Sequence, residues 1–138
     1  MIQSLAAVSF LVPSYEEGLA FFRDVLGFVA LQDVAVGPDK RWVVVAPAAG
    51  GGAELVLAVP SNETQRARIG DQTGGRVGYF LVTDDFQSDY EALRSRGVNF
   101  LEAPRREPYG QVAVFVDPWG GKWDLLHPVG ARAMSVTP

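Results

Sequence analysis

With 138 residues, 48% of them hydrophobic and 20% charged, the chain is long enough to bury one core unaided and too apolar to remain disordered. The absence of cysteine rules out disulfides, a thiolate nucleophile and cysteine-ligated zinc. A net charge of -4 without any basic stripe argues against nucleic acid and anionic membranes as partners. No apolar run reaches the roughly 18 residues of a membrane span, and residues 1–13 lack the basic segment and cleavage site of a leader, so a cytoplasmic protein is expected.

In chain order, an apolar strand is predicted over 5–12. It is followed by a helix opened by the capping pair Ser14 and Glu17, carrying the apolar stripe Leu19, Phe22 and Leu26, and closed by Gly27. Three strands come next, over 28–34, 41–46 and 54–59. A polar stretch over 61–75, containing Gly70, Gly74 and Gly75, reads as a linker with room for a short helix. The series then restarts with a strand over 77–82. Its helix is opened by Asp84 and Gln87, striped by Phe86, Tyr90 and Leu93 and closed by Gly97, and strands over 98–102, 111–116 and 122–127 complete the series. Asp117-Pro118-Trp119-Gly120 is a turn joining the last two strands.

The two series are related by a shift of 70 positions. Phe10-Leu11-Val12 returns as Phe80-Leu81-Val82, Gly27 as Gly97, Leu31 as Leu101 and Glu54-Leu55 as Asp124-Leu125. The chain is therefore read as an α+β fold in one domain over 1–138. Its first βαβββ repeat covers about 5–60, the linker about 61–75, the second repeat about 76–128 and a tail 129–138.

A paired βαβββ module with Phe21-Phe22-Arg23-Asp24-Val25-Leu26-Gly27-Phe28 after its first helix and Asp117-Pro118-Trp119-Gly120-Gly121 before its last strand resembles the vicinal oxygen chelate superfamily. That group includes glyoxalases, extradiol dioxygenases, fosfomycin-modifying enzymes and bleomycin resistance proteins. The resemblance covers roughly residues 5–128. It implies curled mixed sheets around a cavity, and a homodimer with small-molecule pockets formed between paired modules. The metal enzymes of the group place a His early in the first strand and a Glu in the last strand of each half. Those positions fall here on Ala7 and Val77, which cannot ligate through their side chains, and on Glu54 and Asp124, which can. Two carboxylates fall short of the three protein ligands of a usual catalytic centre. His127, the single histidine, follows Asp124 by three residues and points to the opposite face. No cofactor is expected, with a divalent metal as the alternative.

Strand alternation then places Ala7, Ser9, Glu54, Val56, Val77, Tyr79, Asp124 and Leu126 on the cavity side as ligand-binding candidates, and packs Val8, Phe10, Phe80 and Val82 against the helices. Each polar candidate also has a structural reading. Glu54 reads equally as a solvated strand-end acid, Tyr79 as core filling, and Trp42, Trp119 and Trp123 as packing residues. Asp124 lies between Trp123 and Leu125 and is expected to meet a partner, for which an arginine ion pair, a backbone donor or a ligand would serve. As symmetry mates, Glu54 and Asp124 would favour a cation. Catalytic residues are not assigned, because one histidine leaves no triad and the glycines match no nucleotide-binding pattern.

Three functions follow. The first is a binding protein of the bleomycin resistance type that sequesters a cationic or aromatic compound. The second is a divergent metal-dependent lyase or dioxygenase. The third is a structural or regulatory dimer with a vestigial pocket.

Overall fold

The computed structural model describes residues 1–129, in two compact units that meet in sequence at Ile69 and Gly70. The expected tail, from 130 onward, lies outside the described residues. The first unit contains β1 (Ala7–Leu11), α1 (Tyr15–Leu19) continuing into a π-helical turn (Ala20–Val25), β2 (Val29–Gly37), β3 (Lys40–Ala46), β4 (Glu54–Ala58) and α2 (Glu63–Arg66). The second contains β5 (Val77–Val82), α3 (Phe86–Ser95), β6 (Asn99–Phe100), β7 (Arg105–Glu107), β8 (Gly110–Val116) and β9 (Lys122–Pro128). The sheets run β1-β4-β3-β2 and β5-β9-β8-β6, with β7 also paired to β8. In each unit the first and last strands are parallel and the remaining pairs antiparallel. This is the predicted α+β architecture of two curled mixed sheets.

The first helix begins as its sequence dictates. Ser14 Oγ accepts from the Glu17 amide at 3.1 Å and donates to the Glu17 carboxylate at 2.9 Å, which satisfies an amide the first turn leaves unpaired. The helix widens into a π turn, with Leu26 N–H bonding Phe21 C=O at 2.9 Å. That widening lets the consecutive side chains of Phe21 and Phe22 both reach the interior, where regular helical spacing predicts only Phe22. Phe22 is edge-on to Phe10 at 5.0 Å, a geometry worth roughly 0.5–1.5 kcal/mol beyond burial. Gly18 brings α1 close to the sheet, since a Cβ there would lie 2.9 Å from Leu57 Cδ1.

The second helix starts one residue later than predicted. Asp85, not Asp84, is the cap, accepting from the Ser88 amide at 3.2 Å. The cause is Thr83, whose hydroxyl accepts from the Asp85 amide at 3.0 Å and donates to Asp89 at 2.5 Å, forming a side-chain turn before the helix. Under α3 an aromatic series runs Phe86, Tyr90, Phe100, Phe115, Trp123 and Tyr79, with successive centroids 4.4–6.0 Å apart.

Of the strand predicted over 98–102 only Asn99–Phe100 forms, as β6, and Pro104, which has no amide to give a ladder, separates it from β7, an element the residue pattern does not predict. Leu101 N–H still bonds Val114 C=O at 2.8 Å. The Val114 amide is then met by a side chain, with Glu102 Oε2 accepting it at 3.3 Å.

Candidate functional site

Each sheet has one face against its helix and one turned away, and register decides which residues stand on the second. In the first unit Ala7 pairs with Glu54 and Ser9 with Val56, while Val8 pairs with Leu55 and Phe10 with Leu57. Phe10, Leu55 and Leu57 are buried on the helix side, so Ala7, Ser9, Glu54 and Val56 share the open face as predicted. The row continues through Val44 and Gln32, with the Trp42–Val34 pair beside it. Trp42 is 44% exposed.

The second unit departs from expectation at one point. β5 carries a bulge between Val77, opposite Lys122, and Tyr79, opposite Trp123. The extra residue is Gly78, and it turns over every side chain after it. Val77, Asp124 and Leu126 do share the open face. Tyr79 instead lies on the helix side with its ring 4.4 Å from Trp123. Burial, then the charge of Asp117, raises its phenol above the ordinary tyrosine value. Phe80 and Val82, expected against α3, stand on the open face opposite Asp124 and Leu126 and are 47% and 52% exposed.

Register also corrects the symmetry assigned to the carboxylates. By register Asp124 occupies the place of Val56, since Asp124 sits opposite Phe80 and Val114 as Val56 sits opposite Ser9 and Val44. Glu54 answers to Lys122, the first residue of the corresponding strand. The loop over 117–121 is two residues shorter than the loop over 47–53, so the 70-residue shift that holds for β3 and β8 fails in the last strands. Glu54 and Asp124 are not equivalents.

Asp124 is the charged residue of the row that runs Phe80, Asp124, Val114. Its neighbours Phe80, Val114, Val82 and Leu126 are apolar, and its Oδ1 is buried with no hydrogen-bond partner. The expected ion pair is absent among the described residues. The nearby guanidinium, Arg105, is held elsewhere, by Glu102 at 2.9 Å and Glu107 at 2.6 Å. Burial therefore dominates and raises the Asp124 carboxyl above the ordinary aspartate value, with Arg105 opposing the rise and Glu102 adding to it.

Asp117, which the sequence showed only as a turn residue, anchors the strand that carries Asp124. It is 3% exposed, and its carboxylate accepts from the amides of Trp119 and Gly121 and from Trp123 Nε1, each at 2.9 Å. An aspartate opening a turn six residues before a tryptophan was the only available signal. His127 lies across the sheet from Asp124, as predicted, with Nδ1 2.8 Å from Thr83 C=O.

The donor set does not fit the metal that the fold family implies. Ala7 and Val77 offer no ligand, Asp124 has one carboxylate on its face with Glu102 and Glu107 already engaged by Arg105, and the imidazole is on the far side. Among the described residues no group of three or more His, Cys, Asp or Glu stands together to hold a metal. No helix among them is long and apolar enough to cross a membrane.

The geometry agrees with what the chain is similar to. An uncharacterized protein of Shewanella frigidimarina (strain NCIMB 400) is 42% identical over 127 residues, covering 91% of this chain and 94% of the relative. Two crystal structures align over nearly their whole length. UcmS2 is 30% identical with a TM-score of 0.78, over 91% of this chain and 98% of that one. TnmS3, described as an antibiotic binding protein from Streptomyces sp. CB03234, is 32% identical with a TM-score of 0.74, over 93% and 98%. The family model described as Glyoxalase/Bleomycin resistance protein/Dioxygenase superfamily matches residues 4–125, and the chain belongs to that superfamily.

Proposed function

We propose that this protein binds and sequesters a planar aromatic compound carrying a positive charge, without transforming it. The observation that carries the reading is Asp124 Oδ1, buried without a hydrogen-bond partner among the described residues, in the apolar surroundings of Val114, Leu126 and the half-exposed ring of Phe80. An apolar wall with one oriented polar group is the usual composition of a ligand site. A buried carboxylate without a partner costs stability, and a ligand cation would supply what the fold withholds. The printed description of TnmS3 as antibiotic binding favours the same class of function. The donor set weighs against a metal-dependent lyase or dioxygenase.

A homodimer is part of this reading. Edge strand β2 leaves Leu31, Val34 and Val36 exposed, and Trp42 stands beside Val34, an apolar edge of the kind that proteins cover.

The test is a titration followed by tryptophan fluorescence with proflavine, a planar cation at neutral pH, against acridone, a neutral ring of the same size. Saturable binding of proflavine over acridone, weakened about tenfold or more by Asp124→Asn, is the expected result; this corresponds to losing one charged hydrogen bond of roughly 1.5–3 kcal/mol. Equal affinity for the two dyes, or for the two proteins, overturns it.

A further inference from the structure

The open face of the second unit holds a cation that could neutralise Asp124 and does not. Arg105 and Glu107 on β7 project to the same side as Asp124, because Arg105 pairs with Val112 and Glu107 with Gly110, while Val112 and Val114 lie opposite Leu126 and Asp124. The charged groups on that face are Arg105 and Glu107 from β7, Lys122 and Asp124 from β9, and Glu102 from the segment before β7. β5 and the middle of β8 contribute Phe80, Val82, Val112 and Val114. Arg105 Nε donates to Glu102 Oε2 at 2.9 Å and Nη1 to Glu107 Oε1 at 2.6 Å. Two carboxylates balance the charge of the guanidinium and fix its direction through two of its five N–H donors. Glu102 has a second duty, closing the ladder at the Val114 amide. Glu107 has no such backbone task among the described residues, and its role is the grip on Arg105.

The geometry points to Glu107, with Glu102, as a positioning residue of the ligand site: the pair holds the Arg105 guanidinium off Asp124 and so keeps the Asp124 carboxylate open to a ligand's cation. This rests on the ligand reading above, but the arrangement has consequences without any ligand. Released from Glu107, the flexible Arg105 side chain turns to the unpaired carboxylate on its own face and occupies the site from within. The restraint is also a specificity device, since an arginine paired with Asp124 would cancel the negative charge that selects a cation.

The experiment is a mutant cycle read by urea unfolding at pH 7 and by proflavine titration. In the wild-type background Asp124→Asn leaves the urea midpoint unchanged or raises it, because the carboxylate it removes is buried at Oδ1 with no hydrogen-bond partner among the described residues. In the Glu107→Gln background the same substitution lowers the midpoint, because it now breaks an Arg105–Asp124 pair. In Glu107→Gln/Arg105→Gln the lowering disappears. For the dye, Glu107→Gln weakens proflavine binding about tenfold or more, and adding Arg105→Gln restores it to within about threefold of the wild type.

If Glu107 acts only through its charge, Asp124→Asn changes the midpoint in the same direction in both backgrounds and Arg105→Gln does not rescue the dye. Either result overturns the proposal. If the midpoint reverses sign as expected but proflavine binds no protein in the set, the restraint on Arg105 stands and the cationic-ligand reading fails.

Discussion

Phe80 lies directly opposite Asp124 on the face of its sheet turned away from α3, and it is there because Gly78 bulges out of β5. The pairing sets an aromatic ring beside a carboxylate whose Oδ1 has no hydrogen-bond partner among the described residues. At the matching register in the first unit stand Ser9 and Val56, a small polar and an apolar residue with no charge between them. The two sheets share a plan and differ in chemistry at this row, where Ser9 and Val56 answer to Phe80 and Asp124.

The strand bearing Asp124 is fixed by Asp117. Its carboxylate is buried and receives three hydrogen bonds, so Asp117→Ala strands three donors, one of them the Trp123 indole. A loss of about 3–5 kcal/mol is expected, each bond to a charged group being worth roughly 1.5–3 kcal/mol and the set less than additive. Asp117→Asn keeps one acceptor oxygen and should lose about half as much. Urea unfolding measures both, and a weakened near-ultraviolet tryptophan band would report the freed indole. A cost below 1 kcal/mol for the alanine variant would mean that the turn holds without its carboxylate.

Gly70 and Gly74 separate backbone strain from close approach. Both have positive φ, +74° and +65°, but a Cβ at Gly70 would lie 1.7 Å from the Trp119 carbonyl oxygen, whereas Gly74 faces open space. Gly74→Ala should cost about 1–2 kcal/mol, the left-handed penalty alone. Gly70→Ala must also displace the turn that Asp117 organises, so its cost should be at least twice as large. Equal urea midpoints for the two variants would show that the Gly70–Trp119 approach is not held in solution.

Much of this was legible from residue patterns, because the devices that make the elements are local. Ser14 with Glu17, Gly27 with Gly97 and the stripe of Phe86, Tyr90 and Leu93 each act within a few residues, and all appear where predicted. What failed was bookkeeping over longer spans. One extra residue at Gly78 exchanged Tyr79 for Phe80 at the site, and a loop two residues shorter turned Glu54 and Asp124 from supposed mates into unrelated positions. A glycine inside a strand is itself a bulge signal, so the first error had a readable cause. The Arg105 grip had none, since β7 lies between Pro104 and Pro108 in a run that reads as loop.

The scarcity of ligands on these faces carries an expectation for the purified protein. Elemental analysis after purification without chelator should find well under one transition metal per chain, and EDTA should leave the unfolding midpoint where it was. Near-stoichiometric nickel, zinc, iron or manganese would overturn the binding-protein reading, since a metal held by the protein stabilises it by mass action and implies a donor set assembled from elsewhere.

Exposed Leu31, Val34, Val36 and Trp42 lead to an expectation about assembly. Light scattering at tens of micromolar should give twice the chain mass, and Val34→Lys, which places a charge on the edge, should shift the population towards monomer. A monomer mass for the wild-type protein would remove the dimer from the reading and leave the Asp124 face to act alone.

Asp124 itself makes the sharpest prediction, because stability and function should move in opposite directions. Val56 occupies the equivalent position in the first unit, so Asp124→Val asks the second sheet to accept what the first already has. Burial raises the folded-state pKa of Asp124 above the ordinary value of about 3.9. The folded protein therefore holds this proton more tightly than the unfolded chain, and wild-type stability falls as pH rises from the ordinary value through the folded one. Below that window the cost of the buried charge is absent. Above it the cost is complete and constant. The valine variant escapes it, so its advantage over the wild type should be smallest near pH 3, grow through the window and level off by neutral pH at about 1–3 kcal/mol, the penalty of an unsatisfied buried group. Proflavine binding should be lost at the same time, the exchange of activity for stability that marks a residue kept for function. Urea unfolding at a series of pH values gives the difference directly. A valine variant less stable than the wild type at every pH would make Asp124 a structural residue with a partner in solution, and the open carboxylate would no longer be the centre of the site.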